Sequence, residues 1–153
     1  MELKVKVLPD GQAPYRKYDS DTCFDLFVRD FSEEWVKLGK YPRVRYFLGV
    51  QVEPPPGWQV RLYARSSVVN TGWVLANSVG IIDPDYRGEL QAVFVPSAAV
   101  HSVNPYYDLK KPYAIKDRCV QMELVPKYDW DIEIVDTLSE TERGEGGFGS
   151  TGK

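Results

Sequence analysis

The stretch K-D-R-C-V-Q-M-E-L, residues 116–124, decides the fold. From Arg118 onward it alternates. As an extended strand it sets Arg118, Val120 and Met122 on one face and Cys119, Gln121 and Glu123 on the other. The same period of two recurs along the chain. ELKVKVL (2–8) places Leu3, Val5 and Val7 together. VRYFLGVQV (44–52), WQVRLYA (58–64), ELQAVFV (89–95) and DIEIV (131–135) are further runs of strand length, rich in Val, Ile, Tyr and Trp. Turn signals separate the runs: DG at 10–11, EPPPG at 53–57, NTG at 70–72, DPDYRG at 83–88, NP at 104–105 and KKP at 110–112. Many short strands with frequent turns indicate an all-β sandwich, barrel or jelly roll. Two segments read otherwise. SEEWVKL (32–38) is expected to form a short helix, and TLSETERG (137–144) a single turn.

The chain has 153 residues, enough for one domain that buries about 70% of its unfolded surface. Its net charge of −3 argues against a general nucleic-acid binder, so a phosphate-bearing ligand has to be held by a local cluster of groups. No apolar run approaches the ~20 residues of a membrane span, and MELKVKVLPD lacks the apolar region of a signal peptide. A cytoplasmic location is therefore expected. Cys23 and Cys119 make no metal-binding spacing and read as reduced packing thiols. The lone His101, in the polar stretch HSVNPYYD, excludes most zinc sites and leaves a Ser-His-Asp triad without support.

Four internal clusters and the tail can carry chemistry. In Y-D-S-D-T-C-F-D-L-F (18–27), Asp25 interrupts an apolar run; it is either a solvent-facing strand residue or a carboxylate held at a polar site. In Y-A-R-S-S (63–67), Arg65, Ser66 and Ser67 gather a cation, two hydroxyls and backbone N–H groups, which is either a compact anion site or an ordinary strand-to-loop junction. In N-S-V-G-I-I-D-P-D-Y-R-G-E-L (77–90), Val79, Ile81 and Ile82 anchor a segment in which Asp83 follows an apolar pair. A partly desolvated carboxylate there can act as a general base toward water; the alternative is a hairpin turn rich in Asp and Gly. Gln121, in the fourth cluster, is on its own a residue of a wet sheet face. The tail G-F-G-S-T-G-K (147–153) fits the core of a phosphate-binding P-loop by pattern. However, TLSETE before it makes a poor buried strand and no helix is expected after Lys153, so that reading is set aside. Glycines that free backbone N–H groups, together with Phe148 and Arg143, suit an arm that orders over a nucleotide.

The order of these clusters resembles that of the trimeric dUTPase family. F-D-L (24–26), A-R-S-S (64–67), N-S-V-G-I-I-D-P-D-Y-R-G-E (77–89), D-R-C-V-Q (117–121) and R-G-E-G-G-F-G-S-T-G (143–152) stand for its five motifs. The resemblance implies a jelly-roll-like β subunit, residues 1–136, with a C-terminal arm, 137–153, in a homotrimer whose active sites lie between subunits. It also implies hydrolysis of dUTP to dUMP and pyrophosphate, which keeps dUTP low and supplies dUMP for dTMP synthesis. The implied roles are as follows. Asp83 activates the water that attacks the α-phosphorus. Asn77 and the backbone from Gly80 through Ile81 to Ile82 read the uracil edge. Tyr86 packs under the deoxyribose. Arg65, Ser66, Ser67 and Gln121 hold the phosphates. Arg143, Gly149, Ser150 and Thr151 clamp the distal phosphates, and Phe148 stacks on the base. Mg2+ is the implied cofactor, with Asp25 holding a magnesium-bound water. Nucleic acid and membrane are not expected partners.

This chain departs from the family pattern at three places. Cys23 stands where a small residue or Gly is usual, Lys116 stands where Gly is usual, and segments 28–48 and 97–115 are unusual in length or composition. The related dCTP deaminases place their deaminating Glu at the position of Val93, and a valine cannot transfer that proton.

Overall fold

The computed structural model describes residues 1–36, 41–97 and 110–146, with residues 35, 36 and 41 described by backbone alone. Within these, ten strands form three antiparallel sheets. β1 (Lys4–Val7) pairs with β5 (Val50–Glu53). β2 (Phe24–Phe27), β10 (Arg118–Pro126), β6 (Trp58–Ala64) and β8 (Val79–Ile82) form a four-stranded sheet in that order. β3 (Asp30–Val36), β4 (Tyr41–Phe47), β9 (Gln91–Pro96) and β7 (Trp73–Leu75) form another. The all-β expectation holds.

The alternation read from the sequence is the burial pattern of the central strands. Val60 and Leu62 of β6, Val44 and Tyr46 of β4, and Ala92 and Phe94 of β9 turn into one core to which both four-stranded sheets contribute. At its centre the Tyr46 hydroxyl donates to the Tyr113 carbonyl and accepts from the Tyr113 N–H, both at 3.1 Å. The Tyr46 ring meets those of Phe94 and Tyr113 edge-on at 5.8 Å. Of the ELKVKVL run, Leu3 and Val5 pack against the core while Val7 is exposed.

Three expectations need correction. The segment from Ser32 to Val36 is strand, not helix. β3 pairs with β4 from Asp30↔Phe47 to Val36↔Tyr41, and Glu34 is bound by Arg43 and Arg45 across the ladder. These long-range partners outweigh local helix propensity; residues 37 and 38 lie outside the described residues. DIEIV at 131–135 alternates like a strand but pairs with nothing described, and Ile132 and Ile134 are 77% and 94% exposed. Finally, Cys119 is in the core, because a bulge between Arg118 and Val120 shifts the register of β10 against β2 and buries Cys119 and Val120 alike. Burial pushes the Cys119 thiol up to about 12, consistent with a packing thiol. The expected turn at 137–144 closes only at its end, where Gly144 N–H donates to the Thr141 carbonyl at 3.1 Å.

Lys116, where the family pattern has Gly, adopts φ +73°. The turn is fixed from both sides, since Lys116 N–H donates to the Val28 carbonyl (2.8 Å) and Val28 N–H to the Asp117 carbonyl (2.9 Å). A lysine there bears the left-handed penalty that a glycine avoids. Lys116→Gly is expected to stabilise the fold by about 0.5–1 kcal/mol, after allowing for glycine's greater unfolded-state freedom. Urea denaturation checks this, and an unchanged or lower midpoint contradicts it.

A half-buried ion pair with Arg29 and a bond from Gly49 tie the end of the DPDYRG turn to the β2–β3 and β4–β5 connections. Glu89 Oε1 accepts from Arg29 Nε (2.9 Å) and Gly49 N–H (2.8 Å), and Glu89 Oε2 accepts from Arg29 Nη2 (2.8 Å). The hydrogen bond from Arg29, more than any other neighbour, holds the Glu89 carboxyl below the ordinary 4.5 despite its burial. The contribution is therefore complete above that ordinary value and is lost as pH falls through the depressed folded one. Glu89→Gln is expected to cost about 1–3 kcal/mol near pH 7 and to narrow its gap to the parent protein toward pH 3. Denaturation midpoints at the two pH values measure the gap, and a constant gap contradicts the assignment.

Candidate functional site

β2 and β10 bring the first cluster together. Their register sets Asp25 opposite Gln121, and Arg65 follows the end of β6, whose Ala64 lies opposite Val120. Asp25 is held by two arginines. Its Oδ1 accepts from Arg65 Nε at 2.8 Å and its Oδ2 from Arg118 Nη1 at 3.0 Å. Arg65 also donates to the Arg118 carbonyl at 3.2 Å, and Gln121 Nε2 to the Ala64 carbonyl at 3.2 Å. The Asp25 side chain is only 17% exposed, so it is the carboxylate at a polar site rather than a solvent-facing strand residue. These groups line an open cleft of about 460 Å³, with Ser66 at its rim, exposed at the start of a 3₁₀ turn, Ser66–Asn70. Ser67, also exposed, follows in that turn.

Strict alternation separates Arg118 from Gln121, yet both line this cleft. The bulge at Cys119 is what re-aims Arg118. Arg118 was therefore missed as a site residue. Its signal in the sequence was its place inside D-R-C-V-Q, which the period-two reading overrode. Cys23 lines the cleft as well, and burial raises its thiol pKa before the charges of Glu123 and Asp25 add to it.

Asp83 and its neighbours form a second cluster, which does not reach the first. β8 is an edge strand, paired with β6 from Val60↔Ile82 to Tyr63↔Val79. Among the described residues no strand pairs its other edge, so alternate backbone N–H and C=O groups between Gly80 and Ile82 turn away from β6 and are open to a planar ligand edge. Asp83 follows Ile82 and so stands level with Gln59, while Arg65 is six residues further along, about 20 Å at the rise of an extended strand. Val79 and Ile82 are half-buried, but Ile81, expected to anchor the segment in the core, points to solvent because alternation along β8 turns it away from the buried Gly80 face; Asn77 and Asp83 are exposed too, so the desolvation expected of Asp83 is absent within one chain.

The turn after Asp83 is tightly built. Tyr86 N–H donates to the Asp83 carbonyl (3.1 Å), and Arg87 Nη1 donates to the carbonyls of Pro84 (2.6 Å) and Tyr86 (3.1 Å). The Tyr86 ring lies back over Gly88, its hydroxyl donating to the Glu89 carbonyl at 3.1 Å. A Cβ at Gly88 would stand 2.2 Å from that hydroxyl. Of the tail residues, Arg143 is exposed and donates to the Gly146 carbonyl at 2.9 Å. Phe148, Gly149, Ser150 and Thr151 lie outside the described residues.

Among the described residues no group of three His, Cys, Asp or Glu side chains could ligate a metal. The donor set instead fits a magnesium ion that arrives already bound to phosphates. Asp25 is the carboxylate nearest the cleft's arginines, and its oxygens keep lone pairs for a metal-bound water beyond those its two guanidinium partners use.

Fold and cleft together define an all-β protein equipped to bind a compact anion. The family model described as dUTPase matches residues 10–152. The deoxyuridine 5'-triphosphate nucleotidohydrolase of Finegoldia magna is 31% identical, with 98% of this chain and 99% of that one covered. That of Nautilia profundicola is 32% identical over the full length of both. The chain belongs to the dUTPase family. In fold it is similar to the Staphylococcus bacteriophage 80alpha dUTPase with dUpNHpp, at a TM-score of 0.74, 24% identity and 99% coverage of each chain. A dUTPase mutant from phage phi11 of S. aureus, described with a structural Mg(II) ion, has a TM-score of 0.68 at 20% identity, covering 90% of this chain and 98% of that one.

Gly88→Ala is expected to lift the Tyr86 ring and break its bond to Glu89, costing about 1 kcal/mol because the ring can swing into solvent. In a Tyr86→Ala background the same substitution should cost nothing. A double-mutant cycle of unfolding free energies tests this, and additive effects contradict it.

Proposed function

We propose that this chain hydrolyses dUTP to dUMP and pyrophosphate, with water attacking the α-phosphorus. One observation carries the reading: a cationic cleft and an edge-strand carboxylate sit toward opposite ends of β6. Each is half of a site for a nucleoside triphosphate, and a second subunit can supply the missing half. In a homotrimer with sites between subunits, one chain's Asp83 faces another chain's Asp25, Arg65, Ser66, Ser67 and Gln121. Burial at that interface gives Asp83 the desolvation it lacks alone.

In this arrangement Asp83 takes the proton of the attacking water. The free edge of β8 and Asn77 read the uracil, and Tyr86, braced over Gly88, packs under the deoxyribose and leaves no room for a 2′-hydroxyl. The arginine and serines of the cleft hold the phosphates, with Gln121 reaching the chain from β10. Magnesium on the triphosphate, when bound, neutralises charge and keeps the phosphates in line for displacement. Residues 1–136 are the β domain and 137–153 the arm. Exposed apolar residues at the end of the domain, Ile132 and Ile134, and at the start of the arm, Leu138, support an arm that leaves its own domain for a neighbour. There Arg143, Gly149, Ser150 and Thr151 clamp the distal phosphates and Phe148 stacks on the base. Ordering the arm has an entropy cost that only a ligand with both base and phosphates recovers, so closure doubles as a specificity check. The reaction serves the nucleotide pool, and a cytoplasmic location suits it.

Asp83→Asn is expected to keep affinity for a non-hydrolysable dUTP analogue while turnover falls about 10²–10⁴-fold. Chromatography of dUMP and calorimetry of the analogue separate the two effects, and full turnover removes Asp83 as the base. Truncation before Arg143 should leave the unfolding midpoint unchanged and abolish dUMP formation. A chain that unfolds instead would make the arm structural.

A further inference from the structure

One wall of the cleft contains none of the residues given a role above. It is the loop from Tyr15 to Thr22, held at both ends. At its base, Tyr15 N–H donates to the Asp25 carbonyl (3.0 Å) and Asp25 N–H to the Tyr15 carbonyl (2.7 Å). At its tip, Asp21 Oδ2 accepts from the N–H groups of Lys17 (3.1 Å) and Tyr18 (2.9 Å). The loop is thus built against the backbone of Asp25, the residue whose carboxylate orients Arg65.

The lining of the cleft carries four cations, Arg16, Lys17, Arg65 and Arg118, against two carboxylates, Asp21 and Asp25. This surplus of two positive charges sits in a chain whose net charge is −3. The cations are not equally available. Arg65 and Arg118 share Asp25. Arg16 bonds Asp19 at 3.3 Å and lies 4.9 Å from the Phe24 ring centre. Lys17 is exposed, and among the described residues no carboxylate lies within salt-bridge reach of its ammonium, which sits 5.0 Å from the Tyr18 ring centre. Its flexible stem and point charge suit a phosphate chain whose position shifts during reaction.

We propose that Lys17 is a further binding residue of this cleft, contacting the phosphates of the bound triphosphate. The inference rests on the reading of the cleft as the phosphate site, so its test does not depend on dUTP turnover. Magnesium tripolyphosphate is titrated calorimetrically into the full chain and its Lys17→Gln, Lys17→Arg and Lys6→Gln variants. Lys6, also exposed, on β1, controls for the loss of one charge elsewhere. Lys17→Gln is expected to weaken binding about threefold or more, the scale of an exposed charge contact, while Lys17→Arg and Lys6→Gln bind like the parent. With dUTP, Lys17→Gln should raise KM by a similar factor at unchanged kcat, the signature of lost uniform binding. Unchanged tripolyphosphate affinity in Lys17→Gln, equal weakening in Lys6→Gln, or no binding by the parent protein overturns the proposal. Tripolyphosphate binding that depends on Lys17 in a protein that leaves dUTP intact upholds it while refuting the proposed function.

Discussion

The structure depends on the rigidity of β6. Its seven residues are fixed on both sides, by β10 from Trp58 to Ala64 and by β8 from Val60 to Tyr63. With Val60 and Leu62 in the core, the strand cannot slip by one residue without turning its apolar set outward. The register therefore fixes where the chain may place Arg65 at one end and the Asp83 turn toward the other. It also holds them apart, at a separation no side chain spans. Under the proposed function, such a chain contributes two half-sites and an arm, and the chemistry is assembled between subunits rather than folded within one.

Electrostatics within the cleft follow from the same framework. A single carboxylate between two guanidinium groups leaves the cluster net positive while fixing both cations in place. An unpaired arginine pair at this spacing would repel and spread; Asp25 lets them converge. That arrangement suits an anionic ligand, and it disfavours direct ligation of a divalent cation by Asp25 because the surrounding charge is already positive. A water-mediated contact to a metal held by phosphates is the form compatible with these neighbours. The bulge at Cys119 makes the arrangement possible. Without the extra residue, Arg118 and Asp25 would not converge on one side of the β2–β10 pair.

Much of the fold was legible because its central strands obey period two and their turns carry Gly, Pro and Asp. β6, β9 and β10 fall close to the runs read from composition alone. What failed did so for physical reasons. β3 carries a helix-like pattern, but its partner β4 begins only a few residues later, and pairing across the ladder outweighs propensity. The bulge is invisible to a strictly periodic reading, so Cys119 was put on the wet face and Arg118 was passed over. In the site, the ordered motifs identified which residues to watch. Their gathering into separate clusters is a matter of three-dimensional register that no local pattern contains. The loop around Lys17 was not legible at all, since Y-R-K-Y-D carries no motif and only the Tyr15–Asp25 bridge places it beside Arg65.

DIEIV joins the reading failures to the function. Its alternation is that of a paired strand, and its apolar residues are among the most exposed of the chain. Ile81, on the edge strand of the proposed base-reading segment, is likewise 63% exposed. A lone subunit gains nothing from apolar groups in water, and an unpaired β-forming segment is an aggregation hazard unless a defined partner takes it. Both exposures disappear in one stroke if the partner is another copy of the chain. The segment then pairs, the Ile81 side chain is covered while the backbone edge of β8 stays open to the base, and the carboxylate at the end of that edge passes from water into an interface. The alternation of DIEIV would then be a strand pattern whose partner belongs to another chain, with the folding unit and the catalytic unit not the same object.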